Sequence, residues 1–158
     1  MPAITVTVLG TDEAIKRFAT RRDAVSNAVF RQMLVEMQKT AEYIRASKLS
    51  GQVLKNRTGT LRRSIHANAS RTGNLIAGMV GTNVEYARYQ ELGTKAHVIL
   101  PVRAKALAFK TATGETVFAR RVNHPGFPPH PFLRPGVQER RAAILDGLHA
   151  AVVRALNE

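Results

Sequence analysis

The sequence predicts an α+β domain, with helices packed on one face of an antiparallel sheet. Three observations lead to this class. From residue 11 to about residue 47 the chain has neither glycine nor proline, and its apolar residues recur at helical spacing. The middle of the chain alternates short β-rich segments with turn residues, and the last quarter returns to a helical stripe. The predicted order is strand, helix, two strands, helix, two strands, helix.

The first two elements are a strand and a long helix. Residues 3 to 9 alternate β-branched apolar side chains with threonine, which predicts a strand with one buried face, ended by Gly10. Thr11 and the acids that follow it are typical of a helix N-cap and first turn. The apolar stripe of this helix comprises Val25, Val29, Phe30, Met33, Leu34, Met37, Ala41 and Ile44. It predicts one long amphipathic helix, or two in series with a break near residues 21 to 23.

The predicted long helix exceeds what one small domain can cover. About 35 residues would span about 50 Å. Part of the helix is therefore expected to pack on a neighbouring subunit.

A hairpin and a short helix follow. Residues 61 to 70 and 74 to 82 are predicted strands, because they flank a turn at residues 71 to 73. Residues 84 to 92 are predicted to form a short helix that Gly93 ends.

A second hairpin is expected beyond this helix. Residues 97 to 102 continue the β-rich part of the chain, and the two strands of the hairpin are predicted at residues 107 to 111 and 116 to 120. Residues 105 to 109 and 117 to 119 would pair across the turn at Thr113 and Gly114. The sequence therefore predicts an extended basic β-hairpin arm.

The C-terminal part begins with a proline-rich loop at residues 121 to 136, within a single domain that spans residues 1 to 158. It contains Pro125, Pro128, Pro129, Pro131 and Pro135. Proline has a fixed φ and no N–H donor, so the segment is expected to be semi-rigid and extended. Pro135 is tolerated at the start of a helix, whose stripe is Val137, Arg141, Ile144, Leu145, Leu148, Val152 and Leu156.

The charge favours polyanionic partners. The chain has 24 Lys and Arg against 11 Asp and Glu, a net charge of +13. Such an excess favours nucleic acid, acidic protein surfaces or anionic lipid as partners, and charge alone does not choose between nucleic acid and protein docking. With no cysteine, the chain cannot use disulfides or thiol nucleophiles. Neither a signal peptide nor a membrane-spanning run is visible, so we expect synthesis in a host cytoplasm and no membrane contact.

Candidate catalytic groups are weak. His124 and His130 bracket a Pro-Gly-Phe-Pro-Pro segment and could face one metal ion, but no third ligand has the right spacing. Ser64 and His66 lack the acid partner and glycines of a hydrolase. The sequence also has no phosphate-binding glycine loop. We therefore expect no catalytic residue, no metal site, no cofactor and no enzymatic activity.

Basic residues recur along the whole chain as doublets and triplets. No helix-turn-helix, zinc-finger or aromatic stacking pattern accompanies them. A small basic protein that binds nucleic acid without sequence specificity remains an alternative. The candidate interface or DNA-facing residues are Arg103, Lys105, Lys110, Arg120 and Arg121.

Three ordered motifs carry a family resemblance. They are TGTLRRSI at residues 58 to 65, GTNVEYARYQELGT at 81 to 94 and PPHPFLRP at 128 to 135. Over residues 12 to 157 the chain resembles the gene-product-ten-like tail-component family of long-tailed double-stranded DNA phages. The residues of these motifs for which a structural role is expected are Gly59, Leu61, Ser64, Tyr86, Ala87, Glu91, Gly93, Thr94, Phe132, Leu133, Arg134 and Pro135.

Among these residues, Gly93 is a C-cap candidate, Glu91 is expected to pair with Arg134, and Phe132 and Leu133 would anchor the proline loop to the core. The resemblance implies a structural virion protein of the head–tail connector, a neck or tail-completion ring. Its implied partners are copies of itself, the portal or head–tail adaptor, and the tail terminator or tail tube. Contact with packaged DNA is a further expectation.

Overall fold

The computed structural model describes residues 11–51, 58–111 and 113–157. The helices are α1 at Thr11–Tyr43, continued by a π-helical turn at Ile44–Lys48, α2 at Thr60–Ser64, α3 at Ala87–Leu92 and α4 at Leu133–Asn157. The strands are β1 at His66–Thr72, β2 at Leu75–Gly81, β3 at His97–Ile99, β4 at Leu107–Lys110, β5 at Thr116–Ala119 and β6 at Val122–His124. The α+β class is confirmed. The strand predicted for residues 3 to 9 lies outside the described residues.

The strands pair as three separate antiparallel ladders rather than as one continuous sheet. β1 pairs with β2, β3 with β6, and β4 with β5. The predicted pairing of the β4–β5 hairpin is confirmed, with Leu107 opposite Ala119 and Phe109 opposite Val117. Helix α1 covers the β1–β2 hairpin. Met33 and Met37 lie so close to Gly78 of β2 that a Cβ there would stand 2.6 Å from the Met33 sulfur.

Helices α1 and α4 form the main helix pair of the fold. They run antiparallel, because Glu36 contacts Arg140 and Tyr43 contacts Glu139. Gly136 of α4 faces Ile44, whose side chain occupies the space that any larger residue at position 136 would need. Because residue 136 is a glycine, the two helices approach each other closely near the N-terminal end of α4.

The core lies where this helix pair meets the ends of the smaller elements. Its buried members are Ala41, Ile44, Leu49, Ile65, Ala87 and Phe132, with Leu61, Ala67, Val80, Val84 and Leu133 packed against them. Phe132 and Ile44 are fully buried. By contrast, the described side chains of α1 from residue 15 to residue 24 are all exposed. The long helix therefore uses only its C-terminal part for the core.

A polar clamp joins the C-terminal end of α1 to α4. Glu139 accepts hydrogen bonds from the Tyr43 hydroxyl at 2.6 Å and from Lys48 Nζ at 2.7 Å. The bond from Lys48 and then that from Tyr43 lower the pKa of Glu139 below its ordinary 4.5. The same bond to Glu139 raises the pKa of Lys48 above 10.5. Both shifts stabilise the ionised pair.

Glu139→Gln is expected to lower the stability most near neutral pH. The lowered pKa of Glu139 makes its contribution present above pH 4.5 and lost as the pH falls through the folded-state value. The raised pKa of Lys48 makes its contribution present below pH 10.5 and lost at higher pH. Urea midpoints of wild type and variant should therefore converge in acid and in strong base. A separation that stays the same at every pH would contradict the clamp.

Three sequence predictions are corrected. Residues 61 to 70 are not strand throughout, because residues 60 to 64 form α2 and the strand begins at His66. The proline-rich segment is not a loop throughout, because residues Val122–His124 near its start form β6, which pairs with β3. Helix α4 begins at Leu133, two residues before Pro135. Proline is tolerated at this position because the N–H that it lacks would have no helical partner in the first turn. No break occurs in α1, which is one continuous helix.

Candidate functional site

The first two motifs are joined by a hydroxyl pair. Ser64 Oγ lies 2.6 Å from Thr82 Oγ1 and 2.8 Å from the Leu61 carbonyl oxygen. Thr82 Oγ1 also accepts the N–H of Val84 at 3.1 Å. One consistent chain results: Val84 donates to Thr82, Thr82 to Ser64, and Ser64 to Leu61. It connects α2 to the segment that leads into α3.

Glu91 connects the second motif to the third. Its carboxylate accepts backbone N–H groups from Phe132 at 2.7 Å, Leu133 at 2.9 Å and Arg134 at 2.9 Å. These donors belong to the N-terminal end of α4, where backbone N–H groups lack helical partners and the helix dipole favours a negative charge. The expected pair of Glu91 with Arg134 is therefore made by the backbone N–H of Arg134, and the Arg134 guanidinium forms no ion pair with Glu91. The carboxylate from α3 caps α4.

We expect Glu91→Ala to lower the free energy of unfolding by about 2–3 kcal/mol, because three N–H groups lose a charged acceptor. Glu85→Ala is the matched control, since the Glu85 side chain is 87% exposed and, among the described residues, forms an ion pair with Arg88 alone, at 3.9 Å. The control should change the stability by less than about 0.5 kcal/mol. Urea unfolding compares the two. Equal losses would show that the cap contributes nothing.

A second connection lies directly after α3. Gly93 has φ +72°, and a Cβ there would stand 2.7 Å from the Phe127 carbonyl oxygen. Thr94 and Phe127 exchange backbone hydrogen bonds of 3.0 and 3.1 Å. The Thr94 hydroxyl is buried and has no hydrogen-bond partner among the described residues. This bridge holds the proline-rich segment against α3.

The remaining motif residues divide between core and surface. Ala87 and Phe132 are buried, while Leu61 and Leu133 are partly buried against the core. Tyr86 is 45% exposed and precedes α3. Gly59 precedes α2 with φ 72°. Pro135 lies in the first turn of α4. The three motifs therefore meet in one region, around the start of α4.

The five candidate interface cations surround the β4–β5 hairpin. Arg103 and Lys105 precede β4, Lys110 ends it, and Arg120 and Arg121 lie between β5 and β6. All five side chains are exposed. None of them takes part in an ion pair with a described residue. The hairpin and its flanks thus form a basic surface, which we call the arm (residues 103 to 121).

An open cleft of about 790 Å³ lies between α3 and the β3–β6 ladder. Its lining includes Tyr86, Tyr89 and Phe127. His97 and His124 stack there with ring centroids 5.0 Å apart, so the partner of His124 is His97 on the neighbouring strand. In the part of the chain that the structure describes, no three His, Asp or Glu side chains lie close enough to hold a metal ion.

Sequence reasoning missed one charged cleft. Arg45, Arg62 and Arg63 line it together with Gly59. The Arg62-Arg63 doublet is visible in the sequence, but Arg45 lies on a different element and no spacing signal links it to the doublet. Only the fold places the three arginines around one cleft.

A family model described as "Bacteriophage HK97-gp10, putative tail-component" matches residues 12–93, just over half of the chain. The chain belongs to this family. No curated protein and no solved structure matches this chain.

Membership in the HK97-gp10-like family confirms the resemblance over residues 12–93. This range includes the first motif and all of the second except Thr94, whereas the third motif lies beyond it. Family members are structural phage tail components, generally without enzymatic activity, so the chain is virion-associated. Among the described residues, none of the helices has both the length and the apolar character required to cross a membrane.

Proposed function

We propose that this chain is a structural protein of the phage head–tail connector. In this role it forms a closed ring of identical subunits, a neck or tail-completion ring, which joins the portal or adaptor to the tail. Closed rings are built from head-to-tail contacts, in which two different surfaces of each subunit meet. Membership in a tail-component family supports the proposal.

The observation that carries the proposal is the unsupported arm. Strands β4 and β5 contact each other and share few contacts with other described elements. Two-stranded hairpins are marginally stable in water on their own. Phe109 and Val117 stand opposite each other on one face and are 43% and 37% exposed, and Phe118 on the other face is 71% exposed. A neighbouring subunit or connector protein would cover these side chains.

The N-terminal part of α1 presents a second uncovered surface. Ile15 is 64% and Phe18 is 75% exposed, and their spacing of three places them on one side of the helix. Lys16, Arg17, Arg21 and Arg22 surround them. A surface that combines apolar and basic residues suits a partner with an acidic surface. In the connector, the portal, adaptor, tail terminator or tail tube would supply that surface.

The test is complementation of a phage that lacks this gene, with Phe118→Ala supplied in place of wild type. Because Phe118 is exposed, the isolated variant should unfold at the same urea concentration as wild type. The titre should fall by about tenfold or more, as expected if this exposed ring is an anchor of an interface. The particles formed should lack joined heads and tails.

Leu75→Ala is the matched control, since Leu75 is 68% exposed and lies on β2, away from the arm. It should leave the titre unchanged. A particle reconstruction gives the independent check of position. Density for this chain away from the portal–tail junction would overturn the proposal.

A further inference from the structure

A cleft of about 540 Å³ beside α2 has an unusual lining. The described residues that line it are Arg45, Gly59, Arg62 and Arg63. Arg45 comes from the π-helical turn and the other two arginines from α2. Three positive side chains therefore open onto one cavity, without an acidic side chain among the described lining residues.

Two of these guanidinium groups are held in place by the backbone. Arg45 donates to the carbonyl oxygen of Ile65, and Arg63 Nη2 donates to the carbonyl oxygen of Thr58 at 3.0 Å. Each guanidinium has five N–H groups, so most of its donors remain available. Anchored side chains also lose less conformational entropy when a ligand arrives.

The charges of the cluster are uncompensated within the described chain. Arg17, Arg22, Arg88 and Arg140 all have carboxylate partners, whereas Arg45, Arg62 and Arg63 have none. Like charges around one cavity repel each other, an effect that solvent weakens at the exposed Arg62 and Arg63 and that a bound anion would remove. The carbonyl groups that anchor two of them carry no formal charge.

The chemistry of the lining favours phosphate over a protein surface. The centres of protein–protein interfaces are apolar and depleted in charge, and no apolar side chain is among the described residues of this cleft. Protein–DNA interfaces are instead polar and strongly positive. A guanidinium fork also matches the oxygens of a phosphate. The net charge of +13 adds long-range attraction to DNA.

We propose that this cleft binds phosphates of the duplex DNA backbone, without reading the base sequence. The proposal does not depend on where in the particle the chain resides. It concerns α2 and the π-helical turn, whereas the connector proposal concerns the arm and α1. Each can therefore fail without the other.

The test measures binding of the purified full chain to a fluorescent 20-base-pair duplex across a salt series. We expect the double variant Arg62→Gln/Arg63→Gln to bind at least about tenfold more weakly at 0.1 M salt, and the slope of log K against log salt to fall by about two. Arg62→Gln alone should lower the slope by about one. Arg62 has no hydrogen-bond partner among the described residues, so this single variant keeps both backbone anchors.

Arg21→Gln/Arg22→Gln is the control for net charge, because it removes two adjacent arginines from an exposed part of α1, one of which, Arg22, is paired with Asp23. It should change the affinity by less than about threefold, since distant charges are largely screened at this salt concentration. Equal effects of the two double variants would mean that net charge alone drives binding, which overturns the site. A wild-type chain that does not bind the duplex at 0.1 M salt also overturns it.

Competition separates the possible ligands. Unlabelled duplexes of two unrelated sequences should displace the probe equally, as phosphate contacts predict. Inorganic phosphate should compete only at far higher concentration, because it offers one phosphate group. If poly-glutamate binds as tightly as the duplex and with the same dependence on Arg62 and Arg63, the cleft serves an acidic protein and the assignment to DNA is wrong.

Discussion

Phe132→Ala is expected to lower the free energy of unfolding by about 3–5 kcal/mol, the usual cost of removing a buried aromatic ring. The Phe132 side chain is completely buried and belongs to the cluster that joins α1, the start of β1, α3 and α4. Truncation removes apolar contacts and leaves a cavity among side chains from separate elements, which cannot all move inward. The total free energy of unfolding of a domain of this kind is about 5–15 kcal/mol.

Phe118→Ala provides the comparison, because the same atoms are deleted from a ring that is 71% exposed. It should shift the urea midpoint by the equivalent of less than about 0.5 kcal/mol. In Phe132→Ala the backbone N–H of residue 132 still reaches Glu91, so the cap of α4 stays in place. The loss of stability in this variant therefore reports packing alone. Similar losses for the two variants would mean that Phe132 is not the centre of the core.

The elements that the sequence predicts well are those specified by local signals. The helical stripe of α1 and the turn at Gly114 need only neighbouring residues, and the pairing of Leu107 with Ala119 follows from that turn. Helix α2 was missed because its five residues are too few for a period of 3.6 to show. Strand β6 was missed because the prolines that follow it dominate the pattern, although none of its three residues, Val122–His124, is a proline.

The connections between motifs depend on the fold and could not be predicted from spacing. The sequence predicts a contact between Glu91 and Arg134. It does not show whether the guanidinium or the backbone N–H of Arg134 makes that contact. The structure selects the backbone, because the carboxylate lies in line with the first N–H groups of α4. The contact of Ser64 with Thr82 and the approach of Arg45 to Arg62 likewise bring together separate elements.

A buried ion pair between α1 and α4 gives the second large effect. The Glu36 side chain is 4% exposed and accepts hydrogen bonds from Gln32 Nε2 at 2.9 Å, Lys39 Nζ at 3.0 Å and Arg140 Nη2 at 3.1 Å. The Arg140 side chain is itself only 24% exposed, and its Nε has no partner among the described residues. Glu36→Ala leaves this guanidinium without its carboxylate, at an expected cost of about 3–5 kcal/mol.

Removing both charges separates the value of the pair from the cost of breaking it. Glu36→Leu/Arg140→Leu replaces the pair with apolar side chains and should recover most of the loss, since buried ion pairs are often no more stabilising than apolar contacts. Urea unfolding of Glu36→Leu, Arg140→Leu and the double variant completes the cycle. If the double variant is as unstable as Glu36→Leu, the cost lies in lost packing rather than in an unpaired charge. Recovery would mean that the ion pair contributes no more stability than apolar contacts at the same positions, because leucine side chains would then hold α4 against α1 equally well.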